Sequence, residues 1–236
     1  MCEYPFPITG LEQRVAHSFT RKDILLTALT HSSYANEQRS KGLDTLDNER
    51  LEYLGDSVLQ VVASEFLYFN YLDLPEGEMS KIRAAAVCEM ALCEYAGKIE
   101  LGSYMMLGHG EEKGGGRTRP SILADAFEAL LAAIFIDAGI DKVKEFLLPL
   151  ISVKIKEIVE TGSSKDYKTI LQQIVQQEQG EILQYFTVGE SGPSHLRVFE
   201  VEARLNSNVI GRGTGHSKRE AEQMAAKEAL TLFGNI

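Results

Sequence analysis

The stretch Asn48-Glu49-Arg50-Leu51-Glu52-Tyr53-Leu54-Gly55-Asp56-Ser57-Val58-Leu59 carries three acids at helical spacing. At about 100° per residue, Glu49, Glu52 and Asp56 fall within roughly 60° of one another. Like charges so placed repel by a few tenths of a kcal/mol per pair, which a wet surface tolerates. A solvated acidic face therefore explains them when they are taken alone. A second segment is harder to explain that way. Ser121 to Ile136 is apolar nearly all round, the pattern of a buried helix, yet Asp125 and Glu128 share one face of it. Unpaired carboxylates there cost several kcal/mol or take up a proton. No basic residue lies between Arg119 and Lys142 to neutralise them. Two explanations stay open: a cationic partner from another segment, or a bound metal. Glu52 and Asp56 with Asp125 and Glu128 supply the hard oxygen donors that Mg²⁺ selects. A centre of that kind suits phosphate-ester hydrolysis, in which a divalent ion polarises the phosphate and lowers the pKa of water.

The elements that must position these acids are helices. From residue 11 to about 158, apolar residues recur at three and four, as in Leu51, Leu54, Val58, Val61, Val62 and Phe66. Breaks fall at Leu74-Pro75-Glu76-Gly77 and across Gly108 to Pro120. The second break, with Gly114-Gly115-Gly116, reads as a mobile surface loop. It lacks the Lys-Ser/Thr that follows a phosphate-cradling glycine loop.

Near Thr161-Gly162-Ser163-Ser164 the pattern turns small and polar, as in a linker. A short helix is expected over 168–178, then an extended stretch around Tyr185 to Val188. A period-two strand follows, with Phe199, Val201, Ala203 and Leu205 facing one way and Glu200, Glu202 and Arg204 the other. A short strand at 208–211 precedes a last helix that starts at Ser217, with Glu220 completing a capping box. Its buried stripe is read as Ala221, Ala225, Ala229 and Leu230. The expected fold is an all-α domain over 1–160, a linker at 161–165, and a small α+β (α-β-β-β-α) domain over 166–236.

The 236 residues have an ordinary globular composition, 44% hydrophobic and 25% charged. No apolar run is long enough to cross a membrane, since Asp125, Glu128 and Asp137 interrupt the greasiest segment. Met1-Cys2-Glu3-Tyr4-Pro5 lacks the features of a signal peptide. Three cysteines with no metal-like spacing suit a reducing cytoplasm. The net charge of −10 argues by itself against a nucleic-acid partner. From residue 165 onward, however, eight basic residues nearly balance nine acids, so the acidity belongs to the helical part.

The run Asn48 to Leu59 closely resembles the signature of the ribonuclease III family. Pro75-Glu76-Gly77-Glu78-Met79-Ser80-Lys81-Ile82-Arg83-Ala84 resembles the family's next landmark, and Ser121 to Leu130 its third. The C-terminal module, with Gly192-Pro193-Ser194-His195 and Ser217 to Gln223, resembles a double-stranded-RNA-binding domain. The match runs in order over about residues 10–233. The resemblance implies a bacterial-type homodimeric enzyme that cuts double-stranded RNA with Mg²⁺, for which Mn²⁺ can substitute. The products carry 5′-phosphate and 3′-hydroxyl ends with short 3′ overhangs, and ribosomal precursors are among the implied substrates.

It further implies that Glu52, Asp56, Asp125 and Glu128 are the catalytic metal ligands and that Glu49 and Glu76 are accessory acids. Tyr53, where the family commonly has Phe, corresponds to an aromatic residue inserted into the partner subunit. Its hydroxyl needs a polar partner there. Thr169, Gln172, Gln173 and Gln176 correspond to one minor-groove contact and His195 to the next. Lys218 and Arg219 correspond to phosphate contacts at a helix start; the family commonly has Lys where Arg219 stands. Leu29-Thr30-His31-Ser32-Ser33-Tyr34 also resembles the family, with His31 read as structural. The resemblance places the loop of Glu111, Glu112 and Lys113 near the dimer and RNA. Competing readings are a non-cutting RNA-binding protein on the same fold, from which a lost carboxylate is expected, and a helical diphosphate-metal site, which leaves the second module unexplained.

Overall fold

The most apolar stretch of the sequence lies at the centre of the helical unit. In the computed structural model, which describes residues 8–161, 167–176, 180–193 and 196–233, that stretch is the helix α8, Pro120–Ala138. Proline at its first turn has no amide hydrogen to satisfy there. Gly139, at a φ of 83°, ends it by donating its N–H to Phe135 O. Eleven of its residues are buried, which is why its sequence shows no polar face.

Around it stand α1 (Ile8–Arg14), α2 (Lys22–Ala28), α3 (Ser32–Ser40), α4 (Glu49–Asn70), α5 (Glu76–Ala86), α6 (Glu89–Lys98), α7 (His109–Lys113) and α9 (Ile140–Thr161). One core joins Leu59, Val62 and Leu67 of α4, Tyr95 of α6, Phe127 and Leu130 of α8, and Leu147 and Ile151 of α9. The closest approach is between α4 and α8. A Cβ built on Gly55 would lie 1.8 Å from the carbonyl oxygen of Glu128. Only glycine lets the two backbones meet at that point. Val61, one of the apolar residues recurring at three and four, is 58% exposed, so the buried stripe of α4 is narrower than the apolar pattern.

The stretch from Gly108 to Pro120 is not the plain loop expected from its glycines. It forms α7 and a 3₁₀ turn, Gly116–Thr118. Arg117 ties it down, donating from Nη1 to Gly102 O at 2.8 Å and Met105 O at 2.9 Å, and from Nε to Glu112 at 2.6 Å. Charge-assisted bonds to backbone carbonyls hold what glycine leaves loose.

The chain divides into two compact units, 1–164 and 165–236. The second contains α10 (Tyr167–Val175), β1 (Leu183–Ser191), β2 (Val198–Leu205), β3 (Asn208–Gly215) and α11 (Lys218–Leu232). The strands form one antiparallel sheet in the order β1-β2-β3. Tyr167, Leu171 and Val175 pack on Ala226, Ala229 and Leu230, while Val201 and Ala203 pack on Ala221 and Ala225. The all-helical unit followed by an α-β-β-β-α unit is the fold class expected from the sequence.

β3 runs four residues beyond the expected 208–211. Gly213 admits α11 against the strand there; a Cβ would lie 2.2 Å from Ala225 N. Glu202, on the strand face opposite Val201 and Ala203, is 7% exposed, since Arg204 and Arg212 fold over it at 2.7 and 3.0 Å. Those hydrogen bonds and charges hold its carboxyl below the usual range. α10 ends three residues before the expected 178, and Glu178 lies outside the described residues, as do residues 1–5, linker positions 162–165, Ser194 and His195.

Candidate active site

α4 opens at Asn48, whose backbone N–H is held by Thr30 O at 2.9 Å. This anchor sets the first turn of α4, with Glu49 exposed and Glu52 half-buried, and the next turn carries Asp56 on the surface. Across the Gly55 contact, α8 brings up Asp125 and Glu128, both half-buried. The close backbone approach is what lets acids from two helices act on one another.

Their electrostatics record that proximity. Burial pushes the Glu128 carboxyl up to about 8, and the charges of Asp56, Glu52 and Asp125 push in the same direction. Glu52 is raised by burial, then by Asp125, Glu49 and Asp56. Asp125 is raised by burial, with His31 opposing and Glu89 reinforcing. Among the described residues, no lysine or arginine forms an ion pair with any of Glu52, Asp56, Asp125 or Glu128. Among the described residues, the one side-chain hydrogen bond to the set comes from the Gln60 amide to Asp56, at 3.2 Å.

The set is thus a partly buried cluster of mutually repelling carboxylates that, among the described residues, no lysine or arginine pairs with. Its donor chemistry fits a hard divalent ion. Among the described residues, no three acidic, histidine or cysteine side chains already stand in a metal-holding arrangement, and mutual repulsion favours that spread.

The other predicted positions fall elsewhere. Glu76 lies in the first turn of α5, accepts a hydrogen bond from Ser80 Oγ at 2.8 Å, and lines a cavity of about 390 Å³ with Ser64, Glu65, Tyr68 and Arg83. Its charge is not among those raising Glu52, Asp125 or Glu128. Tyr53, one residue from Glu52, is 81% exposed.

In the second unit, Thr169, Gln172 and Gln173 are exposed on α10, and Gln176 is exposed one residue past its end. Lys218 and Arg219 are exposed at the start of α11, where Ser217 accepts from Glu220 N at 3.1 Å. The Glu220 carboxylate accepts from His216 N rather than from Ser217. Lys218 Nζ lies 5.8 Å from the Phe199 ring centroid. His195 lies outside the described residues. Sequence reasoning passed over the surroundings of Asp125, where His31 and Glu89 act. The three-residue run His31-Ser32-Ser33 was the available signal.

Residues 21–155 match the family profile described as Ribonuclease-III-like, and residues 167–232 match the double-stranded RNA binding motif. The chain is 46% identical to a Ribonuclease 3 of Oceanobacillus iheyensis over 97% of its own length and 99% of the relative's. It is 48% identical to a Ribonuclease 3 of Caldanaerobacter subterraneus subsp. tengcongensis over 96% and 98%. A solved nuclease domain of Campylobacter jejuni ribonuclease III, described as flexible in a region involved in dimer formation, is 38% identical. It superposes with a TM-score of 0.57 over 63% of this chain and 98% of that one. With both units matched in order along nearly its whole length, the chain belongs to the ribonuclease III family of double-strand-specific endoribonucleases.

Proposed function

We propose that this protein is a Mg²⁺-dependent endoribonuclease that hydrolyses double-stranded RNA to 5′-phosphate and 3′-hydroxyl ends with short 3′ overhangs. It works as a homodimer in the cytoplasm on ribosomal and other structured precursors, with Mn²⁺ as a substitute ion. The nuclease part is residues 1–160, the linker 161–165 and the RNA-binding part 166–236. The observation that carries this reading is the unneutralised cluster of Glu52, Asp56, Asp125 and Glu128 across the Gly55 contact.

These four carboxylates would hold the metal. When bound, a divalent ion supplies positive charge to the phosphate and makes water a better nucleophile at neutral pH. The chain's own part is to fix the acids on two helices and to keep lysine and arginine from occupying their place. Glu49 adds negative potential beside Glu52. Glu76, in its separate cavity, is an accessory acid for RNA or a further ion. Thr169, Gln172, Gln173 and Gln176 offer a polar helix face to the 2′-hydroxyls of a minor groove, and His195 enters the next groove. Lys218 and Arg219 hold phosphates at the start of α11, where helix dipole and side-chain charge act together. Tyr53, exposed on α4, is the aromatic contact to the second copy.

The test is a labelled duplex incubated with and without Mg²⁺ beside a single-stranded control. Cutting confined to the duplex with metal is expected. Glu128→Gln is expected to bind the duplex but to cut it at least ~100-fold more slowly, as for removal of a direct ligand. Wild-type protein that binds the duplex and leaves it intact in Mg²⁺ identifies a non-cutting RNA-binding protein instead.

A further inference from the structure

One side of α4 is left uncovered by the rest of its unit. Tyr53, Ser57, Val61 and Tyr68 are exposed along it, and Ser64 is half-buried among them. At about 100° per residue these positions fall within roughly 80° of one another and make one continuous stripe. Tyr53, 81% exposed, stands at one end. At the other end, Ser64 and Tyr68 open onto the cavity of about 390 Å³ between α4 and α5 that also holds Glu76, Met79 and Arg83.

The cavity suits an aromatic ring with a polar tip. Its volume exceeds the ~150 Å³ that suffices for benzene inside a protein, and Tyr68 and Met79 supply apolar wall. Arg83 commits Nη1 to Ser64 Oγ at 2.8 Å, and Glu76 commits Oε1 to Ser80 Oγ at 2.8 Å. Among the described residues neither forms an ion pair, whereas Glu65 of the same cavity is paired with Lys144. A guanidinium with further donors and a carboxylate with a further acceptor therefore line one cavity. A phenol hydroxyl answers both, since its oxygen accepts from arginine while its hydrogen goes to the carboxylate.

Tyr53 of the same chain cannot reach that cavity, because roughly 17–22 Å of helix separates it from Ser64 and Tyr68. A second copy can. A two-fold axis through the middle of the stripe, at Ser57 and Val61, runs α4 against its copy in the opposite direction. Each Tyr53 then comes to the Ser64–Tyr68 end of the other helix.

We propose that the Tyr53 hydroxyl bridges Arg83 and Glu76 of the partner subunit, so that the helix carrying the acids of one subunit is fastened to the accessory acid of the other. The inference rests on the reading of Tyr53 as the contact to a second copy and concerns what its hydroxyl does there. Phenylalanine at this position fills the same cavity and leaves both charged groups unanswered.

The dimer dissociation constant of the full-length protein, read by sedimentation equilibrium over a concentration series without RNA, tests the bridge. The sign of the change in Tyr53→Phe decides. A hydroxyl buried without partners opposes association, so removing it would leave the dimer unchanged or tighter. A hydroxyl held by two charged groups favours association, and Tyr53→Phe is expected to raise the constant at least about tenfold, because the symmetric dimer loses two bridges. Tyr53 is exposed in the single chain, so substitution there leaves the helical core intact.

Arg83→Met, which keeps the length of the side chain, is expected to weaken the wild-type dimer and to have a smaller effect in the Tyr53→Phe background. Fully additive effects would show that the two groups do not meet, and would overturn the bridge. Tyr53→Ala separates this inference from the reading beneath it. If wild type stays monomeric, or if Tyr53→Ala dimerises as tightly as wild type, Tyr53 is not the contact and both fall. If Tyr53→Ala loses the dimer while Tyr53→Phe keeps or tightens it, the contact stands and only the hydroxyl bridge is wrong.

Discussion

Burial and its carboxylate neighbours push the pKa of Glu128 up to about 8. Burial and three neighbouring carboxylates all favour its protonated form, whereas in the unfolded chain it ionises near 4.5. Between those values the folded protein holds a proton that the unfolded chain has released. Stability without metal is therefore greatest below pH 4.5 as far as this group is concerned, declines as pH rises, and loses that contribution fully above about 8. Glu52 and Asp125, also raised, lean the same way. Glu128→Gln removes one titrating group. In metal-free melting curves, its Tm is expected to match wild type near pH 4.5 and to exceed it by a few degrees at pH 8.5, at about 2–4 °C per kcal/mol for a unit this size. Saturating Mg²⁺ should close the gap by stabilising wild type. A gap that does not widen with pH would mean that Glu128 is not the strained group.

At the scale of elements, the site exists because α4 and α8 touch backbone to backbone. An alanine methyl at Gly55 would meet Glu128 O at 1.8 Å and its carbonyl carbon at 2.4 Å, and backbone cannot rotate away as a side chain can. Gly55→Ala is expected to cost about 3 kcal/mol or more, a Tm drop of roughly 6–12 °C. Protein recovered at low temperature should show weaker Mg²⁺ stabilisation, because the acid pairs are levered apart. Thermal melts with and without Mg²⁺ check both parts.

The same contact shows what sequence alone can carry. The spacing of Glu52 and Asp56, the all-round apolar run bearing Asp125 and Glu128, and the serine cap at Ser217 are local patterns, and local rules read them. That Gly55 faces the Glu128 carbonyl is a fact about two segments more than 70 positions apart, and helical periodicity does not report which turns meet. The exposure of Val61, the burial of Glu202 under Arg204 and Arg212, and the ordering of the Gly114–Gly116 region by Arg117 are of the same kind. Each depends on a partner that the neighbouring sequence does not contain. Glu76 illustrates the converse: resemblance to the family, not spacing, singles it out, and α5 carries it to a cavity lined by Ser64, Glu65, Tyr68 and Arg83.

For the whole molecule, the difficulty is charge. The helical unit carries nearly all of the net −10, and a polyanionic duplex approaching it meets repulsion that a divalent ion held by the proposed carboxylates would relieve only locally. The second unit is close to neutral and presents Lys218 and Arg219 at the start of a helix whose dipole favours phosphate. On the proposed reading, chemistry and grip are separated along the chain, and tethering one to the other would raise the effective concentration of duplex at the acids. Deleting residues 162–236 is expected to weaken duplex binding roughly tenfold or more at ~150 mM salt. At low salt and ample Mg²⁺ the truncated protein should still cut, with the same ends, since Glu52, Asp56, Asp125 and Glu128 and the core that holds them all lie before the deletion. Binding isotherms and cleavage rates across a salt series measure this directly. Unchanged affinity at physiological salt would place the grip on the acidic unit itself, and cutting lost at every salt concentration would mean that the second unit supports the catalytic fold rather than the substrate.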